Sequence, residues 1–390
     1  MIALEEAQAR LLALVEPLPQ VETPLHKAAG YWAAADIVAK RTQPVRPLSA
    51  MDGYAVAAGE RTDWTLIGES AAGRPFEGTI GLEDAVRIFT GAALPEGADS
   101  IIIQENVTRT DAMISIDLAD RPRRGQHVRA KGSDFSAGDI LIAAGDKLTP
   151  ARIALAASGG HGSVPVRRRP RVALLATGDE LVPPGEEAGT ERLPESNSVM
   201  VAAMLRDWPC DVDVLPIAPD DLETLVSVIG SIECDVLITM GGASVGDHDL
   251  VKPALEQCGA RLDFWKVAMR PGKPVMAGMM GTTLTLGLPG NPVSAFVTAL
   301  LFAMPAIARL CGARDPLPRR EPVRLGAAFP ANGSRIDHVR ARMTGEGAIQ
   351  VGPNDSAGMG GLAGADVLIV RPPDAPAAKR GDMAEAIRII

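Results

Sequence analysis

The sequence predicts a multidomain α/β plus β protein: a central three-layer α/β domain with a parallel or mixed sheet, flanked by N-terminal mostly-β regions and a small C-terminal β-barrel. Three observations carry this. Strand-like and helix-like apolar segments alternate from Arg171 to about Leu310, the pattern of right-handed βαβ units covered on both faces. Short β-like runs broken by Gly, Pro and Asp fill residues 44–147, and similar short runs return after residue 322. The expected divisions are 1–45 with 130–168 as a helical and β linker region, 46–129 as a mostly-β lobe, 169–312 as the α/β domain and 318–390 as the barrel.

Leu4, Ala7, Leu11 and Leu14 recur at helical spacing until Pro17 and Pro19, so the chain opens with one amphipathic packing helix. YAVAA, WTLIG, VRIFTG and SIIIQENV then read as strands between turn residues. PARIALAASG at 150–159 is helix-like, and the basic, Pro-flanked VPVRRRPR at 164–171 marks a boundary near Arg169. Beyond it come the strand RVALLATG, a helix from about Ser198 to Asp207, the strand VDVLPI, a helix from Asp220 to Ile229, the strand DVLITMGG and a helix from Asp249 to Cys258. PVMAGMM and TLTLGLPG add two β-like runs before a long apolar helix from Pro292 to about Leu310, so this domain should end near Cys311. PVRLGAAF, HVRARMT and ADVLIVRPP supply the strands of the terminal barrel or sandwich.

Composition narrows the function. The 390 residues are 46% hydrophobic, enough for well-packed cores in two or three domains. With 48 acidic against 39 basic residues the formal charge is −9, which argues against broad attraction to nucleic acid or an anionic membrane; any anion site must be local. Cys210, Cys234, Cys258 and Cys311 lie far apart with no C-x-x-C, so neither a zinc knuckle nor a secreted disulfide framework is indicated. Glu5 and Glu6 stand where a signal peptide needs positive charge, and no apolar run approaches the ~18 to 20 residues of a membrane span. A soluble cytoplasmic protein is expected, with no membrane and no nucleic-acid partner. His26, His127, His161, His248 and His338 show no ligand spacing, and no G-x-S-x-G elbow is present. RPRRGQHVRAKG and VRRRPR lack interleaved aromatics and read as solvated loops or subunit contacts.

Four segments could carry chemistry. GGASVGDHD at 241–249 leaves a strand and opens a helix, the place where open α/β sheets bind anions on unpaired N–H groups. Gly241, Gly242 and Gly246 allow close backbone approach to a phosphate and Ser244 adds a hydroxyl; equally, this is a glycine-rich turn with Asp247 or Asp249 as helix cap. It matches neither a Walker A loop nor G-x-G-x-x-G. ATGDEL at 176–181, with Thr177 and Gly178, follows another strand, and two such loops on one sheet converge on one crevice. Glu180, Asp220, Asp247 and Asp249 would gather there, and carboxylates beside a phosphate suit Mg²⁺, although Asp220 in PDDLE also reads as a helix cap. FWKVAMRPGKPV places Lys266, Arg270 and Lys273 in a Pro- and Gly-broken segment, a concentrated positive site, and LPGNPVSAF leads into a helix whose early turn carries Ser294. SAMDGYAV and FTGAALPEGADSIIIQE hold Asp52 and Thr90 in what look like tight turns.

Together SAMDGYAV, TGAALPEGADSIIIQE, VRAKGSDFSAGD, LLATGDEL, ESNS, CDVLITMGGASVGDHD, FWKVAMRPGKP and LPGNPVSA resemble the molybdopterin molybdenumtransferases, bacterial MoeA-like proteins similar to the E domain of gephyrin, in family order along the whole chain. The resemblance implies insertion of molybdate into adenylylated molybdopterin, with Mg²⁺-dependent hydrolysis of the adenylate and release of AMP and molybdenum cofactor. It assigns Asp52, Thr90, Asp134, Glu180, Asp220 and Asp249 as the functional acids and hydroxyl, with Asp220, Asp249 and Glu180 on Mg²⁺. Thr177, Gly178, Gly241, Gly242, Ser244, Gly246 and Lys266 would bind molybdopterin and its phosphates, and Arg270, Lys273, Ser294, Arg340 and Ser356 molybdate. Arg270 stands where the family often has lysine, and RIDHVRARM and PNDSAGMGG match it weakly. The resemblance also implies a homodimer, with Asp52 and Thr90 acting across the interface, and contact with the adenylyltransferase or with acceptor molybdoenzymes. A molybdopterin adenylyltransferase and a non-catalytic molybdopterin-binding scaffold are the alternative readings. The adenylyltransferase needs little more than the α/β domain, whereas more than half of this chain lies outside it.

Overall fold

A computed structural model describes residues 1–241, 250–352 and 358–389. Its centre is a six-stranded sheet in the order Asp211–Val214, Arg171–Ala176, Val236–Met240, Thr283–Leu288, Pro274–Met280, Arg261–Lys266. The first four strands are mutually parallel, Pro274–Met280 runs against them, and Arg261–Lys266 pairs antiparallel with that strand and so runs with the first four, which makes the sheet mixed. Side chains alternate across it. Val172 and Leu174 join one core with Leu4, Leu11, Val201 and Phe302, while Ala173 and Leu175 join another with Leu225, Ile229 and Leu255. Helices therefore cover both faces and make three layers.

The helices begin near the expected positions, with shifts that have local causes. Asp221, not Asp220, is the cap of Leu222–Ser231: its Oδ1 accepts from the Thr224 N–H at 2.8 Å, which leaves Asp220 outside the helix. The next helix is Val251–Gln257, with Asp249 outside the described residues. Asn197–Leu205 begins one residue earlier than expected, because the buried Glu195 carboxylate accepts from the N–H groups of Asn197 and Ser198 at 2.7 and 2.9 Å. The long apolar helix runs through Pro292–Thr298, a π-helical turn Ala299–Ala303 and Met304–Leu310. Pro305 has no N–H to offer the Leu301 carbonyl four residues back, and that carbonyl accepts instead from the buried Gln8 Nε2 at 2.9 Å. This stretch of 19 residues is apolar and long enough to cross a membrane, but 94% of its most apolar 18-residue window is buried inside the protein as a core helix.

Before the α/β domain, a six-stranded sheet ordered Ser100–Ile103, Gly53–Val56, Asp84–Ile88, Asp63–Ser70, Met113–Ser115, Thr108–Thr110 forms the distal lobe. The strands Gln20–Pro24 and Ser163–Arg167 pair beneath it, so segments on either side of the lobe meet. After the α/β domain, Arg320–Arg324, Met383–Arg388, Val367–Arg371, Ile336–Thr344 and Gly347–Gln350 pair in that sequence, and a bridge from Leu325 to Ala348 joins the two ends into a small barrel around Phe329, Val339 and Ile369. Met269–Arg270, from the α/β domain, adds a parallel strand to Ile336–Asp337 and ties the barrel to the domain before it.

Candidate active site

The parallel strands run, in chain order, 2-1-3-4 across the sheet, so the direction of winding reverses between Arg171–Ala176 and Val236–Met240. Ligands of open α/β sheets bind at the carboxyl ends beside such a reversal. Here the loops leaving those two strands touch. A Cβ on Gly241 would lie 3.0 Å from the Thr177 carbonyl oxygen and 3.2 Å from its hydroxyl, and Gly241 has φ +99°, where L side chains are strained. A Cβ on Gly290, in the loop after the next strand, would come 3.7 Å from the Gly241 Cα. Asn197 Nδ2 donates to the Gly290 carbonyl at 2.8 Å. Three strand ends and one helix start thus meet beside the crevice expected at such a reversal, and backbone rather than side chains makes their closest approaches. Gly242, Ser244, Gly246 and Asp249 lie outside the described residues.

Carboxylates line one wall. Glu180 folds back so closely that a Cβ on Gly178 would sit 2.6 Å from its Oε2. Asp179 Oδ1 accepts from the Asp220 N–H at 3.1 Å. Burial, opposed by the Asp179 hydrogen bond and aided by the charges of Asp179 and Glu180, pushes the Asp220 carboxyl above its ordinary value. Asp179 is a member of this wall that sequence reasoning passed over in favour of its neighbour; the D-E pair in ATGDEL was the available signal. Among the described residues, no three His, Cys, Asp or Glu side chains are grouped so as to hold a metal ion.

The cationic segment occupies the seam with the barrel. Lys266 and Lys273 are exposed at the two mouths of a loop closed by the Val267 N–H donating to the Lys273 carbonyl at 2.9 Å. Gly272, with φ +94°, lies against the helix carrying Ser294: a Cβ there would meet Thr298 Cγ2 at 2.6 Å and the Ser294 carbonyl at 3.6 Å. Ser294 itself is 6% exposed. Arg270 is half exposed and ion-paired with the buried Asp337, a hydrogen bond that raises the guanidinium's affinity for its proton. Arg340, on the same barrel strand, is 3% exposed and its Nη1 donates to the Gly358 carbonyl at 2.5 Å. Ser356 lies outside the described residues. Asp337 carried no signal in the sequence, because its importance comes from strand pairing across 67 residues.

The distal lobe brings Asp52 and Thr90 together. Asp52 Oδ1 accepts from the Thr90 N–H at 2.7 Å and from its hydroxyl at 2.9 Å. Those two donors, and then the charge of Arg87, hold the Asp52 carboxyl below its ordinary value. Arg87 donates to the Gly53 carbonyl at 3.1 Å and lies 5.0 Å over the rings of Tyr54 and Phe89. Asp134 is exposed on a turn, its N–H donating to the Gln43 carbonyl at 3.1 Å. Among the described residues, no hydrogen bond or ion pair links Asp52, Thr90 or Asp134 to the crevice.

Backbone-lined strand ends, an acidic wall and a cationic seam define an α/β protein with separate acidic and cationic surfaces beside one topological reversal. The chain matches three family models: the MoeA N-terminal region (domain I and II) over residues 2–160, a probable molybdopterin binding domain over 173–309, and the MoeA C-terminal region (domain IV) over 322–389. It is 36% identical over 321 residues to the molybdopterin molybdenumtransferase of Haemophilus influenzae, covering 81% of this chain and 79% of that one. To molybdopterin molybdenumtransferase 2 of Mycobacterium tuberculosis it is 33% identical over 397 residues, covering 96% of each. A solved structure of the molybdopterin biosynthesis moeA protein of Pyrococcus horikoshii OT3 superposes with a TM-score of 0.84 at 26% identity, covering 100% of both chains. The chain belongs to the molybdopterin molybdenumtransferase family, and it is an enzyme of the transferase class.

Proposed function

We propose that this enzyme inserts molybdate into adenylylated molybdopterin and releases AMP and molybdenum cofactor. The observation that carries the reading is the approach of Gly241 to Thr177 at the point where the winding reverses, a backbone-lined slot suited to a phosphorylated ligand. Thr177, Gly178 and Gly241, with Gly242, Ser244 and Gly246 of the adjoining loop, take the phosphates and Lys266 the rim. Mg²⁺ would be held by Asp220, Glu180 and Asp249, since oxygen ligands suit this cation. The ion supplies charge neutralisation at the phosphates, and the chain's own groups hold it there.

Molybdate, as substrate, is received by Arg270, Lys273, Ser294, Arg340 and Ser356, since a tetrahedral oxyanion favours forked and ammonium donors. Asp52, Thr90 and Asp134 complete the site from the second subunit of a homodimer, with Asp52 held by the Thr90 N–H and hydroxyl. The reaction takes place in the cytoplasm, with contacts to the adenylyltransferase or to acceptor molybdoenzymes. Matches to the family over both flanking regions favour this reading over an adenylyltransferase or a scaffold.

The test is turnover of adenylylated molybdopterin by the purified protein with Mg²⁺ while molybdate is titrated. The expected result is release of AMP and active cofactor that rises with molybdate. Tight binding without turnover would point to a scaffold, and formation of the adenylate from ATP to an adenylyltransferase.

A further inference from the structure

We infer that Asp337 is a positioning residue that aims the Arg270 guanidinium at the oxyanion bound in the cationic seam. Met269–Arg270 pairs in parallel with Ile336–Asp337, and the Ile336 N–H donates to the Ala268 carbonyl at 3.0 Å, so the register puts Arg270 directly beside Asp337. Asp337 is 4% exposed, and its Oδ2 accepts from Arg270 Nη2. The Arg270 side chain keeps 47% of its surface in solvent. A guanidinium is a flat fork with donors on more than one edge. One donor, Nη2, is committed to the buried carboxylate, and the remaining N–H groups of the half-exposed guanidinium are left for a ligand. A lysine ammonium at this position has no second edge to offer in a fixed direction.

The other neighbour of Asp337 explains why Arg270 is the group it aims. Asp337 is also in register with Arg371 on the antiparallel strand Val367–Arg371. Arg371 is only 8% exposed, and its Nη2 donates to the backbone carbonyls of Pro330, at 3.2 Å, and Pro376. Asp337 is therefore flanked by two arginines, one spent on the barrel's own backbone and one turned outward. The α/β domain supplies the outward arginine, and the barrel supplies the carboxylate that orients it. Docking of the barrel and shaping of the oxyanion pocket become one event.

The inference rests on the reading of the seam as the molybdate site, and the experiment separates the two. Arg270→Ala, Asp337→Asn and the double variant of the full-length enzyme are compared by KM for molybdate, KM for adenylylated molybdopterin and kcat. Asp337→Asn is expected to raise the molybdate KM about tenfold, with the other two parameters within about twofold. The double variant should match Arg270→Ala alone, because nothing remains to be aimed. The sign is informative: a carboxylate acting only through its charge would repel the oxyanion, and its removal would lower the KM.

A lowered or unchanged molybdate KM in Asp337→Asn, additive effects in the double variant, or a parallel rise in the adenylate KM would overturn the positioning role. If Arg270→Ala leaves the molybdate KM unchanged, the seam reading itself falls. Asp337→Glu guards against a folding defect. It keeps the charge but moves it by one methylene, and it should raise the molybdate KM while an unchanged Tm shows the barrel intact.

Discussion

The crevice and the seam are built from different material. The crevice is made by backbone: Thr177, Gly178, Gly241 and Gly290 come together because three neighbouring parallel strands end on one edge of one sheet, and each turn is local to its strand. The seam is made by side chains, and its members are in place only when Met269–Arg270 pairs with Ile336–Asp337 across two domains. A ligand that needs close approach to backbone suits the first, and a compact oxyanion suits the second. A substitution in the crevice should therefore change chemistry at little cost to folding, whereas one that deletes a buried, hydrogen-bonded side chain of the seam should change ligand affinity and stability together.

The widest separation is expected from Asp220→Asn. Loss of this carboxylate should lower kcat by on the order of 10²-fold or more. Its effect on Tm should have the opposite sign, because the Asp220 carboxyl is pushed above its ordinary value of 3.8. A carboxyl raised in the folded state stabilises fully only where it is protonated, and that contribution is lost as pH rises through the folded value. At pH 7 the variant should unfold no earlier than the wild type, and the comparison should shift in favour of the wild type below the ordinary carboxylate range. Thermal scans at several pH values, run beside the turnover assay, check both halves.

Arg340→Ala comes next. Because Arg340 is 3% exposed and bonded to the Gly358 carbonyl, its removal should raise the molybdate KM about tenfold or more and also lower Tm, since a buried hydrogen-bonded side chain is lost. An unchanged Tm would show that Arg340 belongs with the crevice type of residue. Smaller again is Gly241→Ala, where a Cβ 3.0 Å from the Thr177 carbonyl should narrow the slot and weaken binding of the adenylate about tenfold, leaving the molybdate KM alone. Gly281→Ala, where a Cβ would meet nothing within 4 Å, is the matched control.

The smallest effect sharpens the seam. His338 is fully buried beside Asp337, and burial first, then the charge of Arg320, push its imidazole down from 6.5 to about 4. A depressed imidazole favours the neutral folded form, so stability is kept above pH 6.5 and falls as pH drops toward about 4. His338→Asn should flatten the stability profile in that window, read by urea unfolding at pH 4.5 and 7.5.

Much of this was legible in the sequence, and the failures share a cause. RVALLATG and DVLITMGG announce their strands by continuous apolar runs, and Pro292 to Leu310 by length and hydropathy. The meeting of Thr177 with Gly241 followed from one topological rule. What escaped was set by tertiary contacts at small polar residues. Asp221 rather than Asp220 took the helix cap, Glu195 started a helix one residue early, and Asp179 joined the acidic wall. Periodicity is blind to such choices, because each is decided by a single hydrogen bond. Asp337 and Arg87 were invisible for a further reason: their partners, Arg270 and the Tyr54 ring, are brought near by strand pairing that the linear pattern does not record.

The central claim is that two separate pockets serve one reaction, and it is tested most directly by a single experiment on Asp220→Asn and Lys273→Ala. AMP release from adenylylated molybdopterin is followed while molybdate is titrated. Asp220→Asn is expected to depress the maximal rate with the half-saturating molybdate concentration unchanged, and Lys273→Ala to raise that concentration with the maximal rate recovered at high molybdate. Equal loss of rate and of molybdate response in both variants would contradict the two-pocket account.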